Sequence, residues 1–452
     1  MDAPPTRRSK RLRSYEKERD NKRQKIIDDD DSSSEEEYII EDDFIEEYTS
    51  SEDEDYEPDT QGIQINFVVS GKPVQAQEPD KEFEGLIKTH DFNPRAFLKD
   101  ESIPQHIRGM FYERFKQFSS MNPHASEYFK LKKWLTDFMK IPFGNYVKLP
   151  FDEEDHMEQS NFLREAIQQL DDKLYGQKRA KDELMEILTK WMVNPESQGQ
   201  VIGLHGSPGV GKTELAKNCI APIMHRPFQY ISLGGLTDGA YFDGHSYTYE
   251  GATHGRMVQM LMDAKCMNPI IFMDELDKVS DSKVGQEIIG KLIHLTDPTQ
   301  NEVIMDKYFT GVPLDFSKAL IIFSFNDPNL IDKVLLNRIR IIKMNDFDTK
   351  DKVKIAKKHL LPQAWKDNKM RVFFSDQVLQ HMIFKHNESG VRRLKSDIEN
   401  IIMKLNVIKM LPEKDPNIRV YHGMTFTMEM YHRLYKDYPS DVTEISRLMM
   451  YV

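Results

Sequence analysis

Residues 206–213 read GSPGVGKT, and Gly206, Gly211, Lys212 and Thr213 fill the spacing G-x-x-x-x-G-K-[ST], with Ser207, Pro208, Gly209 and Val210 between them. Glycines let backbone N–H groups close on phosphate oxygens with no Cβ in the way. A lysine at this position reaches β and γ phosphates, and the hydroxyl after it ligates Mg²⁺. The apolar run Val201–Leu204 comes before the loop. ELAKNCI after it suits a helix whose N-terminal dipole favours an anion. A chance glycine turn is the plain alternative, but it does not require strand, loop and helix in this order. The spacing predicts a phosphate site.

Hydrolysis of a nucleoside triphosphate also needs a metal, an oriented water and positive charge at the transition state. Candidates for each lie downstream. NPIIFMDELDK (268–278) is an apolar run ending in two carboxylates, Asp274 to hold Mg²⁺ and Glu275 to polarise the attacking water. Alone that pattern is weak; roughly 60 residues beyond a phosphate loop it gains weight. Asn326 ends a second apolar run, where an amide can orient the water and sense the γ-phosphate. An ordinary strand-ending Asn is the alternative there. Arg338, in LLNRIRII, follows at the spacing of an arginine finger; a surface charge is its alternative, and Arg340 is a rival. Arg392 opens a helix in ESGVRRLKSDIENI and can reach back to the phosphates.

The elements that must position these groups alternate. PFQYISL (227–233), NPIIFMDELDK (268–278), ALIIFSFND (319–327) and RIIKM (340–344) read as strands beside Val201–Leu204, separated by helical runs RMVQMLMDAKC and EIIGKLIHLTD. Strands alternating with helices imply a parallel sheet covered on both faces. VIMDKYFTGVPLDF (303–316) reads as a hairpin turning near Gly311. Four helical patterns lead in from Ile103, broken at Asn122–Pro123, Pro142 and Tyr175–Gly176, with Trp134 and Trp191 expected in the core. From Thr349 helices are expected near 350–361, 375–385, 390–410 and 425–437. The expected domains are a disordered charged tail (1–60), a linker with one short strand at 63–69 (61–102), a helical segment (103–193), a large α/β domain (194–348), a helical lid (349–440) and a C-terminal tail (441–452).

Charge is uneven. Residues 1–25 hold ten Lys/Arg against four Asp/Glu, residues 26–60 hold eighteen Asp/Glu and no Lys/Arg, and the whole chain carries −12. Residues 61–452 therefore sum to zero, which disfavours a nucleic-acid clamp. RRSKRLR (7–13) suits nuclear import, an electrostatic anchor or a solvated tail, and Ser32, Ser33, Ser34, Ser50 and Ser51 precede acidic runs open to an acidophilic kinase. Cys219 and Cys266 are the only cysteines and lie in no C-x-x-C, so free buried thiols in a reducing compartment are expected. With no apolar run near ~18 residues and no signal-peptide core, a soluble cytoplasmic or nuclear protein is expected, without membrane partners.

From about residue 104 to 437 the chain resembles the ATPase part of the Lon family of AAA+ ATP-dependent proteases. GSPGVGKTELAK resembles the Walker A segment, YISLGGLTDGAYFDGHSYTYEGATHGRM the pore segment and IIFMDELDK the Walker B. LTDPTQN, VPLDFSKALIIFSFND, LLNRIRII, AKKHLLPQ and SGVRRLKSDI follow in the family's order, and MNPHASEYFKLKKWLTDFMKIPFGN with LDDKLYGQKRAKDELMEIL resembles its helical approach. The resemblance implies a AAA+ P-loop fold with a helical lid, ATP and Mg²⁺ as ligands, and a hexameric homo-oligomer threading polypeptide. It implies Walker roles for Lys212, Thr213, Asp274 and Glu275, sensor roles for Asn326 and Arg392, and a finger role in a neighbouring subunit for Arg338. Tyr175 and Gly176 would lie near adenine, and Tyr249 would be the aromatic pore residue.

Two departures stand out. Glu250 follows Tyr249 where the family has an aliphatic residue, and HSYTY (245–249) replaces HRRTY, so pore grip should differ. No segment up to Val452 resembles the family's peptidase nucleophile motif, so ATP-driven unfolding or remodelling without intrinsic peptidase activity is expected. Alternatives are an ATPase subunit serving a separate peptidase chain, and a nucleotide-switched scaffold or chromatin-associated regulator.

Overall fold

The computed structural model describes residues 92–149, 156–194, 199–236, 238–249, 251–279, 282–386 and 388–435. The chain divides into two units, Met1–Leu86 and Ile87–Val452, and the described residues all belong to the second. The charged tail with its serines, the strand expected at 63–69 and Glu250 lie outside the described residues.

In chain order, helices α1 (Pro94–Lys99), α2 (Gln105–Ser119), α3 (Ser126–Phe138), α4 (His156–Lys173) and α5 (Lys178–Val193) come first. Strand β1 (Val201–His205) leads through the glycine loop into α6, which begins Lys212–Glu214, widens to a π-helical stretch Leu215–Ile220 and ends Ala221–Ile223. Then follow β2 (Phe228–Ser232), α7 (Ala240–Asp243), α8 (Arg256–Ala264), β3 (Ile270–Asp274), α9 (Lys283–Thr296), the hairpin β4 (Ile304–Met305) and β5 (Pro313–Leu314), β6 (Leu320–Phe325), α10 (Lys333–Leu336) and β7 (Arg340–Lys343). The remainder is α11 (Thr349–Ile355, π-helical Ala356–Leu360, then Leu361–Asn368), β8 (Val372–Phe374), α12 (Asp376–His386), α13 (Arg392–Met410), β9 (Met424–Phe426) and α14 (Met428–Leu434).

The main sheet is parallel in the order β2-β3-β6-β1-β7. Its central strands are buried on both faces, and the period of two divides their side chains between two cores. Ile271 and Met273 of β3 and Ile321 and Phe323 of β6 join one core with helices α1 to α3, α8 and α9. Ile270 and Phe272, with Leu320 and Ile322, join the other with α4, α5 and α6. The helical approach expected as one segment is thus shared between opposite faces of the sheet. A third core holds α11 to α14 with β8 and β9.

Two expectations change. Residues 73–102 read as a linker, yet α1 lies within them. Asn93 caps it by accepting from the Ala96 N–H at 3.1 Å, proline stands in its first turn, and Phe97 packs on the Phe111 ring at 4.5 Å. The helix expected near 425–437 begins instead as β9, which pairs parallel with β8. Phe374 and Phe426, centroids 5.3 Å apart, fill the lid core from that pair. Among the described residues no helix is long and apolar enough to cross a membrane, and both cysteines are buried and free.

Candidate functional site

The sheet order puts the ends of β3, β6 and β1 side by side, the edge at which open α/β sheets meet ligands. The glycine loop leaves β1 there. Gly209 and Gly211 have φ of 79° and 99°, a left-handed backbone open to glycine at no steric penalty. Lys212 then starts α6 and folds its ammonium back over the loop. Nζ donates to the carbonyls of Gly206 and Ser207 (3.3 Å to Ser207) and to Asn326 Oδ1 at 2.7 Å. Burial lowers its pKa, while the Asp274 and Asp277 charges oppose that shift and Arg392 adds to it.

Asp274 closes β3 directly opposite Ser232 of β2, and Ser324 is the next residue after the Met273–Phe323 pair on the other side. Both neighbouring strands reach its carboxylate. The Ser324 hydroxyl donates to Oδ1, and the Tyr230 hydroxyl donates to Oδ2 at 3.3 Å. Burial and the Asp274 charge raise the Tyr230 pKa, which keeps that phenol protonated as a donor. Glu275 takes a left-handed conformation, φ 60°, unusual for a residue with a Cβ. Ser232 Oγ donates to its Oε2 at 3.4 Å, and a Cβ on Gly234 would come within 2.4 Å of the same oxygen. Asp277, buried one turn on, accepts the backbone N–H groups of Asn326 and Asp327 at 3.0 and 3.1 Å through Oδ2. It ties the end of β6 to the end of β3.

The lid core closes the site from above. The Val391 N–H donates to the Gly209 carbonyl at 3.1 Å, and Arg392 starts α13 beside the loop. A cavity of about 850 Å³ is walled by Pro208–Thr213, Asp274, Glu275 and Asn326 on one side and by Arg392 on the other. Tyr175 and Phe347 also line it, and the Tyr175 hydroxyl donates to Asp351 Oδ1 at 3.0 Å. Gly176 follows Tyr175 with φ 66°. The residues present fit a nucleoside triphosphate with Mg²⁺: the loop supplies a backbone cradle, Lys212 an ammonium for phosphate, and Thr213 and Asp274 the oxygens that would hold the metal.

Arg338 is not among the cavity walls. Its Nη1 sits 2.7 Å from Asp297 Oδ2 and 3.4 Å from the Ile293 carbonyl, at the C-terminal end of α9. Its rival Arg340 lies on β7 and is paired with Glu186 of α5. Tyr249 is 68% exposed on the segment between α7 and α8. That segment rests on the helical approach, where Lys130 donates to the Thr248 carbonyl and lies 4.9 Å from the Tyr247 ring centroid. Sequence reasoning passed over Tyr230, Ser232, Ser324, Asp277 and Gly390. The signal for the two serines is a lone hydroxyl near the end of an apolar strand.

The parallel sheet, the glycine loop at its centre and the lid over it are those of a AAA+ P-loop ATPase. The model of the ATPase family associated with various cellular activities (AAA) matches residues 202–346. Within that class the kinship is to Lon. The chain is 32% identical over 318 residues to a Lon protease homolog of Acanthamoeba polyphaga mimivirus, covering 68% of this chain and 30% of that protein. It is 34% identical over 326 residues to a mitochondrial Lon protease homolog of Yarrowia lipolytica, covering 71% and 26%. A mitochondrial Lon protease homolog of Saccharomyces cerevisiae is 33% identical over 324 residues, covering 70% and 28%. The chain spans under a third of the length of these relatives, and the stretch it shares with them is a Lon-type AAA+ ATPase part.

Proposed function

We propose that the chain hydrolyses ATP with Mg²⁺ and uses the energy to unfold, thread or remodel protein substrates as a ring of identical subunits, six by analogy with the family. The observation that carries this reading is the convergence of Lys212, Asp274, Glu275 and Asn326 with the lid's Arg392 around one cavity. The loop amides and Lys212 hold the β and γ phosphates. Thr213 and Asp274 would hold Mg²⁺, which would supply positive charge to the phosphate oxygens. Glu275 polarises water. Lys212 has three N–H donors and three acceptors here, Gly206 O, Ser207 O and Asn326 Oδ1. When Lys212 turns to a phosphate it gives up one of them, and the Asn326 amide is the side chain free to rotate toward the water. Tyr175 and Gly176 flank the base. Arg392 reports the phosphates to the lid, and Arg338 serves the site of the neighbouring subunit.

The exposed Tyr249 supports a role in gripping polypeptide, with Glu250 beside it in sequence favouring basic or polar segments. No part in peptide-bond cleavage is assigned to these residues. The test is Glu275→Gln. Turnover should fall at least about 100-fold while fluorescent ATP analogues still bind, because only the water-polarising group is lost. Unchanged turnover in that variant refutes the site assignment. Stimulation of wild-type ATPase by an unfolded protein tests the substrate class.

A further inference from the structure

We propose that Asp297 is the positioning residue of the arginine finger, fixing Arg338 so that its free edge serves a second copy of this chain. This rests on the finger role given to Arg338 above. Asp297 caps the C-terminal end of α9, where the helix dipole is negative. A carboxylate there is electrostatically unfavourable unless cations and N–H groups compensate it. The compensation is dense: Oδ1 accepts from Thr299 N at 2.9 Å and Thr299 Oγ1 at 2.8 Å, and Oδ2 accepts from Gln300 Nε2 at 3.0 Å and Arg338 Nη1 at 2.7 Å. These bonds hold the Asp297 pKa far below the usual carboxylate range, the Arg338 bond foremost. The carboxylate therefore stays charged and oriented.

The other side of the contact is equally built. Leu335 and Ile339 are buried on either side of Arg338 in sequence, which fixes the backbone that carries it. Both recorded bonds use one nitrogen, Nη1. Among the described residues Nε and Nη2 have no partner, and the side chain is 30% exposed. A guanidinium clamped at one corner, with Nε and Nη2 unengaged and the side chain partly exposed, is pre-organised for bidentate recognition of an anion. Its own cavity does not include it, so the anion belongs to another copy. Leu330 and Val334, just upstream in sequence, are exposed apolar side chains.

The experiment compares Asp297→Asn, Arg338→Ala and Glu275→Gln proteins, alone and mixed. Asp297→Asn keeps the turn acceptor but removes the charge that orients Nη1. In the assembled protein kcat should fall roughly 10- to 100-fold with KM for ATP little changed, the mark of lost transition-state geometry. Mixing with Glu275→Gln, whose own site is dead but whose finger is intact, should raise activity above that of Asp297→Asn alone. Arg338→Ala should behave the same way. A structural role for Asp297 would damage its own subunit and give no rescue, which overturns the proposal, as does wild-type kcat in Asp297→Asn while Arg338→Ala is impaired. Wild-type kcat in Arg338→Ala instead removes the finger role beneath it, and absent wild-type ATPase removes the proposed function itself. If Asp297→Asn does not assemble, Asp297→Glu, which keeps the charge and displaces it, is mixed and read in the same way.

Discussion

Gly390 is the tightest joint between the lid and the phosphate loop, and replacing it with alanine tests how the site is closed. A Cβ at that position would lie 2.2 Å from the Pro208 carbonyl oxygen and 2.5 Å from the Gly209 carbonyl carbon. Its backbone is not in the left-handed region, so space is the only obstacle. To reach ordinary contact the lid loop must retreat by about 1 Å. That stretches the Val391 N–H bond to the Gly209 carbonyl, 3.1 Å in the native packing, and carries Arg392 away with it. Losing one such bond costs about 1 kcal/mol, and overpacking adds about 1–3 kcal/mol, so the protein should stay folded with a lower melting temperature. If Arg392 senses phosphate as proposed, a displacement of about 1 Å there should lower kcat by up to about 100-fold. Nucleotide affinity should change less, since the lid loop is the part that retreats and the loop amides and Lys212 keep their places. Steady-state ATPase kinetics with a fluorescent-nucleotide titration and a thermal melt measure all three. Gly109→Ala is the control: nothing lies within 4 Å of its Cβ position on α2, so it should be neutral or slightly stabilising. A Gly390→Ala protein with native kcat would show that the lid contact does not set the site.

Three further outcomes are expected. Asp277→Asn should lower kcat more than nucleotide affinity, because the acceptor of the Asn326 and Asp327 N–H groups loses its charge and the end of β6 loosens; equal loss in both would point to a damaged loop instead. Phe97→Ala should destabilise the protein by about 3–5 kcal/mol in urea titrations, because the ring packs on Phe111 and Phe138 in the first core; a value near zero would make α1 an appendage. Burial pushes the Cys219 thiol from 9.0 up to about 11. Between those values the unfolded chain has released this proton and the native chain keeps it, so stability falls as pH rises through that window, by up to about 2–3 kcal/mol. Urea midpoints above pH 9 should therefore drop more steeply for the wild type than for Cys219→Ala, and parallel slopes would reject the linkage.

What could be read beforehand follows from the range of the interactions involved. The glycine loop, the strand ends at Asp274 and Asn326 and the hairpin near Gly311 are local patterns, set by residues within one element and its turn. So are the five main strands, each a short run between turn or helical segments. Missing from that reading was whatever depends on register between strands distant in sequence. Ser232 faces Asp274 only because β2 and β3 pair as they do, and Ser324 reaches the same carboxylate only because β6 lies on the other side. The pair β8 and β9 was missed for a related reason: three-residue strands some fifty positions apart carry no period of their own, and MTF ahead of a helical run reads as more helix. α1 was hidden in a polar stretch, although Asn93–Pro94 is a local helix-start signal and Phe97 is its anchor. Arg338 shows the other limit. Its spacing marks it as a finger candidate, but only the clamp by Asp297 at Nη1, which leaves Nε and Nη2 unengaged among the described residues, separates it from Arg340, which is paired with Glu186 of α5.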